Sequence, residues 1–463
     1  MGAALVAFCL LADLGAQASV ASDISDVSAP ETTGQPGFVP GILALQASGT
    51  SESRAGVAPI LPGFNPQSFV AELLIPRLAL ELRNPGLVFA AWYSPRFFWE
   101  YPNPSSLTGL APNSSAVSDQ TPAPNAASEP LILHTFGLTL DARTSRSVRV
   151  TAAAGGSIGQ PDYTTLPQVL GTVQPTLPSV VELAAANAQA GVVATLSQRW
   201  QVSLAGQVSH WQWLDIPPDV SASGAVTSQT SASLEPAGAF RLTVRDLLGL
   251  GAAVGWVSYS TGNEVLTVTP AVTWKRHLDR DTDLNLRLGL TYARLLDSGT
   301  LGTMPVLGGG ETQAVSPIGS AELIVHLARL DQIMFLGRAF AGVDFYFDPI
   351  VGTGQPRGLA AAELTAVSVP SWTVSLRGDF ATVLEDVPTL PGQIPPDETA
   401  FSVTLAVRRR VTENFYAELG GRWANRGPTL DTPDFRFDQL QLWAYLSLIG
   451  TTRPIPRPAL PRE

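Results

Sequence analysis

Charge is scarce in this sequence. Asp, Glu, Lys and Arg make up 14% of the 463 residues, against about a quarter in ordinary soluble chains. Hydrophobic residues still reach 45%, so the chain is not solvated by charge and has apolar surface to bury. Acidic residues outnumber basic ones, 39 to 28, for a net charge of −11. The basic residues are scattered at chain reversals and form no face that could follow a phosphate backbone, which argues against nucleic acid as a partner. Cysteine is nearly missing too. The one residue, Cys9, lies in the first apolar stretch, so the rest of the chain can form no internal disulfide. Long apolar runs are also lacking: after that stretch nothing approaches the roughly 18 apolar residues of a spanning helix. If this chain enters a membrane, it does so as strands.

The first segment, Gly2 to Leu14, has the length of a signal-peptide core and is followed by the small-residue pattern Ala16-Gln17-Ala18. This predicts a signal peptide over 1–18, cleaved after Ala18. No Lys or Arg precedes the apolar region, which leaves a buried N-terminal helix open as an alternative. Lipidation at Cys9 is the other alternative, with bulky Phe8 just before it. Residues 19–66 are rich in Ser, Pro, Gly and Ala and read as a flexible periplasmic leader, with Gly41 to Ala47 as its candidate strand. From 67 to 450 the texture is apolar alternation in segments of about ten to fifteen residues, the length of a tilted strand crossing a bilayer. Residues 451–463 form a Pro-rich tail on the periplasmic side.

Alternation is plainest at Leu284, Leu286, Leu288, Leu290 and Tyr292, with Asn285, Arg287, Gly289 and Thr291 between them. The same step of two runs through Val202, Leu204 and Val208, through Trp372, Val374, Leu376 and Phe380, and through Phe401, Val403, Leu405 and Val407. A helix would break it. Connections alternate in length as well. Short reversals at Asn84 to Gly86, Arg143 to Arg146, Gln198-Arg199 and Arg408 to Glu413 are separated by long Pro, Ser, Thr and Gly segments such as Pro102 to Pro130 and Gly159 to Ala186. Short periplasmic turns and long external loops are how transmembrane barrels are built. Aromatic residues add a third signal: Trp92, Tyr93, Trp99, Trp211, Trp213, Trp256 and Trp423 fall at outer strand ends, and Trp200, Trp274 and Trp372 at short reversals. They predict two girdles, one per interface.

Two hairpin cores, Leu196-Ser197-Gln198-Arg199-Trp200 and Arg408-Arg409-Arg410-Val411-Thr412-Glu413-Asn414-Phe415, resemble the Arg-turn-aromatic hairpins of Gram-negative outer-membrane barrels. Leu82-Arg83-Asn84-Pro85-Gly86 through Trp92-Tyr93-Ser94-Pro95-Arg96 is similar to porin-like barrels of myxobacterial type, some of them associated with polysaccharide export. The resemblance covers roughly Phe69 to Leu448. It implies the cell outer membrane as location, with the lipid bilayer, the barrel-assembly machinery and polysaccharide export components as partners. Many such barrels end on a terminal aromatic, whereas here a Pro-rich tail follows Leu448.

The expected fold is therefore all-β: one closed antiparallel transmembrane barrel of about eighteen strands, with about sixteen as the alternative. Charges between the apolar positions belong in the lumen, because a charge facing lipid costs about 2–4 kcal/mol at midplane. The lumen candidates are Arg149, Arg241, Arg287, Arg338, Asp344, Arg377, Asp379, Glu418 and Arg422. A ladder of salt bridges filling the lumen is the alternative role for these residues.

No catalytic, cofactor-binding or metal site is expected. His134, His210, His277 and His326 form no i, i+4 pair, and the residues two positions after them are Phe136, Gln212, Asp279 and Ala328, so the His-x-Ser pattern of outer-membrane acyl hydrolases is missing. Gly308-Gly309-Gly310 is followed by no Lys-Ser or Lys-Thr. Asp279, Asp281 and Asp283 alternate in a calcium-like spacing but lack the Gly and distal Glu, and read as a solvated turn. Three functions stay open: a channel for solutes or polysaccharide export, a structural or adhesion barrel whose long loops bind a partner, and, least favoured, an enzyme.

Overall fold

The computed structural model describes residues 42–58, 67–101, 130–160, 182–214, 228–260, 262–279, 281–297, 313–330, 333–347, 354–368, 371–384, 399–412, 414–427, 437–449 and 453–454. The proposed signal peptide, most of the leader, the Pro-rich tail beyond 454 and the interiors of the long external connections lie outside them. Every element among the described residues is a strand, from β1 (Ile42–Ala58) and β2 (Gln67–Asn84) to β17 (Phe415–Gly427), β18 (Phe437–Ile449) and the two-residue β19 (Arg453–Pro454).

From β1 to β18 each strand pairs antiparallel with its chain neighbour, and the sheet closes where β1 meets β18, from Ser48 opposite Ile449 to Val57 opposite Leu440. β19 continues along the same edge, with Leu45 opposite Arg453. β18 and β19 thus share one position, and the wall is a closed barrel of eighteen strands. The first strand begins where Gly41–Ala47 predicted one and runs on to Ala58. Its outer half, Gly49-Thr50-Ser51-Glu52-Ser53, has no apolar alternation to signal it. Register with β2 supplies what the pattern lacks, extending unbroken from Ile42 opposite Arg83 to Ala58 opposite Gln67.

Residues directly opposite each other in an antiparallel pair lie on the same face, so the register carries one face around the wall. Leu288 (69% exposed), Leu250 (66%) and Leu419 (65%) mark the outer face. In a soluble protein so much exposed leucine would demand a partner. On a closed barrel it is the lipid belt, and no strand edge is left with unpaired backbone groups in hydrocarbon. The fold is that of a bacterial outer-membrane β-barrel.

The short turns lie at one end, the periplasmic one. At Pro85-Gly86, Gly86 adopts φ +78°, a conformation that suits glycine, and its carbonyl accepts the Arg143 N–H at 2.6 Å. Other turns are capped by side chains: Ser145, Ser197 and Thr243 hydroxyls accept the N–H three residues on, at 3.1, 3.1 and 3.0 Å.

Two measurements test this architecture. Leu288→Arg should cost about 2–4 kcal/mol and Arg287→Ala little, since only the first places a charge in lipid; a fluorophore at 288 should be quenched from the lipid phase and one at 287 should not. An impermeant thiol reagent on intact cells should label Ser115→Cys in the long connection after β3 (Leu87–Tyr101) and spare Ser145→Cys in a periplasmic turn. The reverse pattern would invert the orientation.

Candidate functional site: the barrel lumen

The inner face is divided. On one side a single ring of opposed residues passes from β4 (Leu131–Arg143) through β5 (Val148–Gly159), β6 (Glu182–Thr195), β7 (Trp200–Leu214), β8 (Ser228–Arg241) and β9 (Asp246–Tyr259) to β10 (Glu264–His277). It reads Thr139, Ala153, Gln189, Gln207, Ser233, Gly255 and Thr267. At this height the wall is small and uncharged, with charges such as Arg149, Arg241 and Lys275 nearer the periplasmic end. On the other side the register runs from β13 (Ile333–Phe347) through β14 (Gly354–Ser368), β15 (Trp372–Val383) and β16 (Thr399–Thr412) to β17. It reads Arg338, Glu363, Arg377, Thr404 and Arg422. This wall is charged.

Register and burial place each lumen candidate as follows. Arg338 Nε donates to Glu322 Oε1 at 2.6 Å, and Asn285 Nδ2 donates to the other oxygen at 2.8 Å. Arg377 Nη2 lies 2.7 Å from Asp379, two residues on and therefore on the same face. Asp344 accepts from Arg357 Nη2 at 2.8 Å, and Glu418 from Arg408 Nε at 2.9 Å. On the polar side Arg149 Nε donates to Asp141 at 2.9 Å. Arg241, exposed at the periplasmic end of β8, and Arg287, on β11 (Thr282–Asp297), are in no ion pair among the described residues. The Arg287 Nε has no hydrogen-bond partner among them. The partners Asp141, Glu322, Arg357 and Arg408 were not singled out from sequence. Their signal was available, since each lies on the inward alternation of its own strand, but the pairing depends on register.

Arg357, Arg377 and Arg422 rim a depression of about 320 Å³ in the charged wall. Its floor is made of Ala361, Ala381, Ala400 and Ala424, with Phe340 and Leu359 beside them. Small residues on adjacent strands face one another here, Ala381 opposite Ala400 and Ser402 opposite Ala424, and their short side chains leave the space the arginines surround.

The girdles differ from expectation at three tryptophans. Trp99, Trp256 and Trp423 lie on the outward alternation toward the outer end, and Trp200 (50% exposed), Trp274 and Trp372 (42%) outward at the periplasmic end. Tyr93 also faces outward, and its hydroxyl is 2.7 Å from His134 Nδ1. Trp211 and Trp213 instead share the inward face of β7 and are 1% and 9% exposed. Trp92 is inward as well, with the Arg77 guanidinium 5.1 Å from its ring. Its indole occupies the space a side chain at Gly137 would take, 2.7 Å from where a Cβ would sit. Position at a strand end told the height of these rings but not their face, and in Trp211-Gln212-Trp213 the face is set by parity with Leu183 and Ala185 on β6.

The remaining polar clusters have local roles. Asp279 Oδ1 accepts the Asp281 N–H at 2.8 Å, and this backbone hydrogen bond holds the Asp279 carboxyl below its usual range. Asp283 is paired with His277. Among the described residues no cluster of His, Cys, Asp and Glu could hold a metal ion.

Trp211→Ala should destabilise the barrel by about 3–5 kcal/mol, the cost of emptying a buried aromatic site. Trp200→Ala, on the lipid face, should cost much less, as read by urea unfolding in lipid vesicles.

No family model matches the chain. No curated protein matches it either. Among solved structures it is similar to the outer membrane protein OpdK of Pseudomonas aeruginosa, determined with vanillate, at 12% identity and a TM-score of 0.43 over 88% of this chain and 98% of that one. OccAB2 of Acinetobacter baumannii matches over the same shares at 9% identity and a TM-score of 0.43. A bacterial polysaccharide outer membrane secretin matches over 89% of this chain and 100% of its own, at 10% identity and a TM-score of 0.36.

Proposed function

We propose that the barrel is a porin-like channel that passes solutes, or exports a polysaccharide, through the outer membrane. The observation that carries this reading is the contrast between the two faces: an outer belt of leucine, and an inner wall in which Ser, Thr, Gln, Arg and carboxylates recur, with buried Leu73, Phe98, Leu183 and Trp211 toward its outer end. A wall with so many polar and charged groups is compatible with water. The ion pairs Arg338–Glu322, Arg377–Asp379 and Arg408–Glu418 neutralise much of the charged wall. Among the lumen candidates, Arg241 and Arg287 have no ion-pair partner among the described residues, which supports a passage that favours anions over cations.

Reconstitution in planar bilayers tests the reading. Discrete conductance steps in KCl are expected, with a reversal potential that reports anion preference under a salt gradient. Arg287→Glu should shift that potential toward cation preference while leaving the fold intact. A reconstituted barrel that carries no current would leave the structural role, with the ion pairs as filling, as the better account.

A further inference from the structure

Three successive periplasmic turns share a build that selectivity in the lumen does not account for. After each capping residue, Ser145, Ser197 or Thr243, the turn tip carries an arginine: Arg146, Arg199 or Arg245. Backbone bonds stitch neighbouring turns together, the Arg199 carbonyl accepting the Arg241 N–H at 2.8 Å and the Arg245 carbonyl accepting the His277 N–H at 2.9 Å. Just inside the rim, alternation puts Arg143, Arg241 and Lys275 on the luminal face. All six side chains are exposed, and none is held in an ion pair among the described residues. The acids on this arc are otherwise engaged: Asp141 with Arg149, Asp246 with Arg276 at 3.8 Å, and Asp283 with His277. Asp279 and Asp281 lie in the next turn, at the arc's far end.

Adjacent hairpins thus present a contiguous cationic arc at the periplasmic mouth of a chain whose net charge is −11. The sequence at the opposite end is of the other sign. The connections there carry acids such as Asp119, Asp162, Asp215 and Asp386, and Arg436 as their one basic residue. Two sources of anionic charge reach a periplasmic rim, lipid headgroups and material in the lumen. Outward-facing cations meet the first: Arg276 and Arg409 lie over the rings of Trp274 and Trp372, at 5.7 and 5.0 Å. Arg143, Arg241 and Lys275 face away from lipid.

We propose that the arc is a docking site for an acidic polysaccharide arriving from the periplasm, which the barrel then passes outward. The proposal rests on the export form of the channel reading. A polymer with a carboxylate on each repeat needs no single preformed pocket; it needs several fixed cations within a Debye length, about 8–10 Å at moderate salt, and attraction of this kind raises local concentration at the mouth. The acidic far end offers the polyanion no competing site, so docking is confined to the periplasmic mouth.

The test titrates the full-length protein in detergent micelles with fluorescently labelled polygalacturonate, with dextran of equal length as the uncharged control. Polygalacturonate should bind at low ionic strength and release as salt is raised. The triple variant Arg143→Gln, Arg241→Gln, Lys275→Gln should weaken binding about tenfold or more, and the outward pair Arg276→Gln, Arg409→Gln should leave it unchanged. Equal binding by the triple variant, equal binding of dextran, or equal loss in the outward pair overturns the proposal. Preference for polyglutamate over polygalacturonate also overturns it, by assigning the arc to an acidic protein segment. In oriented bilayers polygalacturonate should block current from the periplasmic side only, and equal block from both sides would refute directional docking. Binding is read without current, so a barrel that conducts but does not bind refutes the docking site, while one that binds but does not conduct refutes the channel.

Discussion

In hydrocarbon a backbone N–H or C=O has no water to turn to, and each one left unpaired costs several kcal/mol. A sheet satisfies this condition only if it has no edges. The pairing of β1 with β18 is what removes them, and the rest of the molecule follows from that closure. It fixes an inside and an outside, and it forces every strand to carry two unlike faces at once. It also places both ends of the wall at the periplasmic rim, where β19 extends the seam beside Ala44 and Leu45.

Once the wall is closed, alternation distributes function. A residue type at one position dictates nothing about its neighbour, so the belt can be leucine while the lumen is varied. The lumen is varied by sector, with a mid-height ring of short uncharged side chains over β4–β10 and one of arginines and carboxylates over β13–β17. Size matters as much as charge. Where facing residues are alanine, as at Ala381 and Ala400, the wall recedes. Where a glycine faces a tryptophan, as at Gly137 and Trp92, the large ring lies down over the gap. The contour of the passage is therefore written in the small residues, and its field in the large charged ones.

Much of this was legible from sequence because the physics is local. Strand length, alternation and the ordering of short and long connections each concern a few residues, and they sufficed for an antiparallel barrel of the observed size. The outer half of β1 was not legible, since Gly49 to Ser53 has no apolar period and is held by its two neighbours. The face of Trp211 and Trp213 was not legible either, because two tryptophans two apart announce a shared side without saying which. Among the charges, strand position indicated the lumen, but which acid meets which arginine depends on register across different strands. Arg338 with Glu322 and Arg408 with Glu418 are products of that register.

Nearly all contacts in the wall join strands adjacent in sequence, and capped turns such as those at Ser145, Ser197 and Thr243 fix the reversals locally. The seam is different. Thr50 Oγ1 donates to Ser447 Oγ at 3.2 Å across a separation of 397 residues. Loop closure grows costlier with length only slowly, but topologies that wait on distant contacts fold slowly. A wall lacking only the β1–β18 pairing would be left with two unpaired strand edges. The joint of β1 with β18 is therefore the one place where the integrity of the wall depends on a contact between the two ends of the sequence.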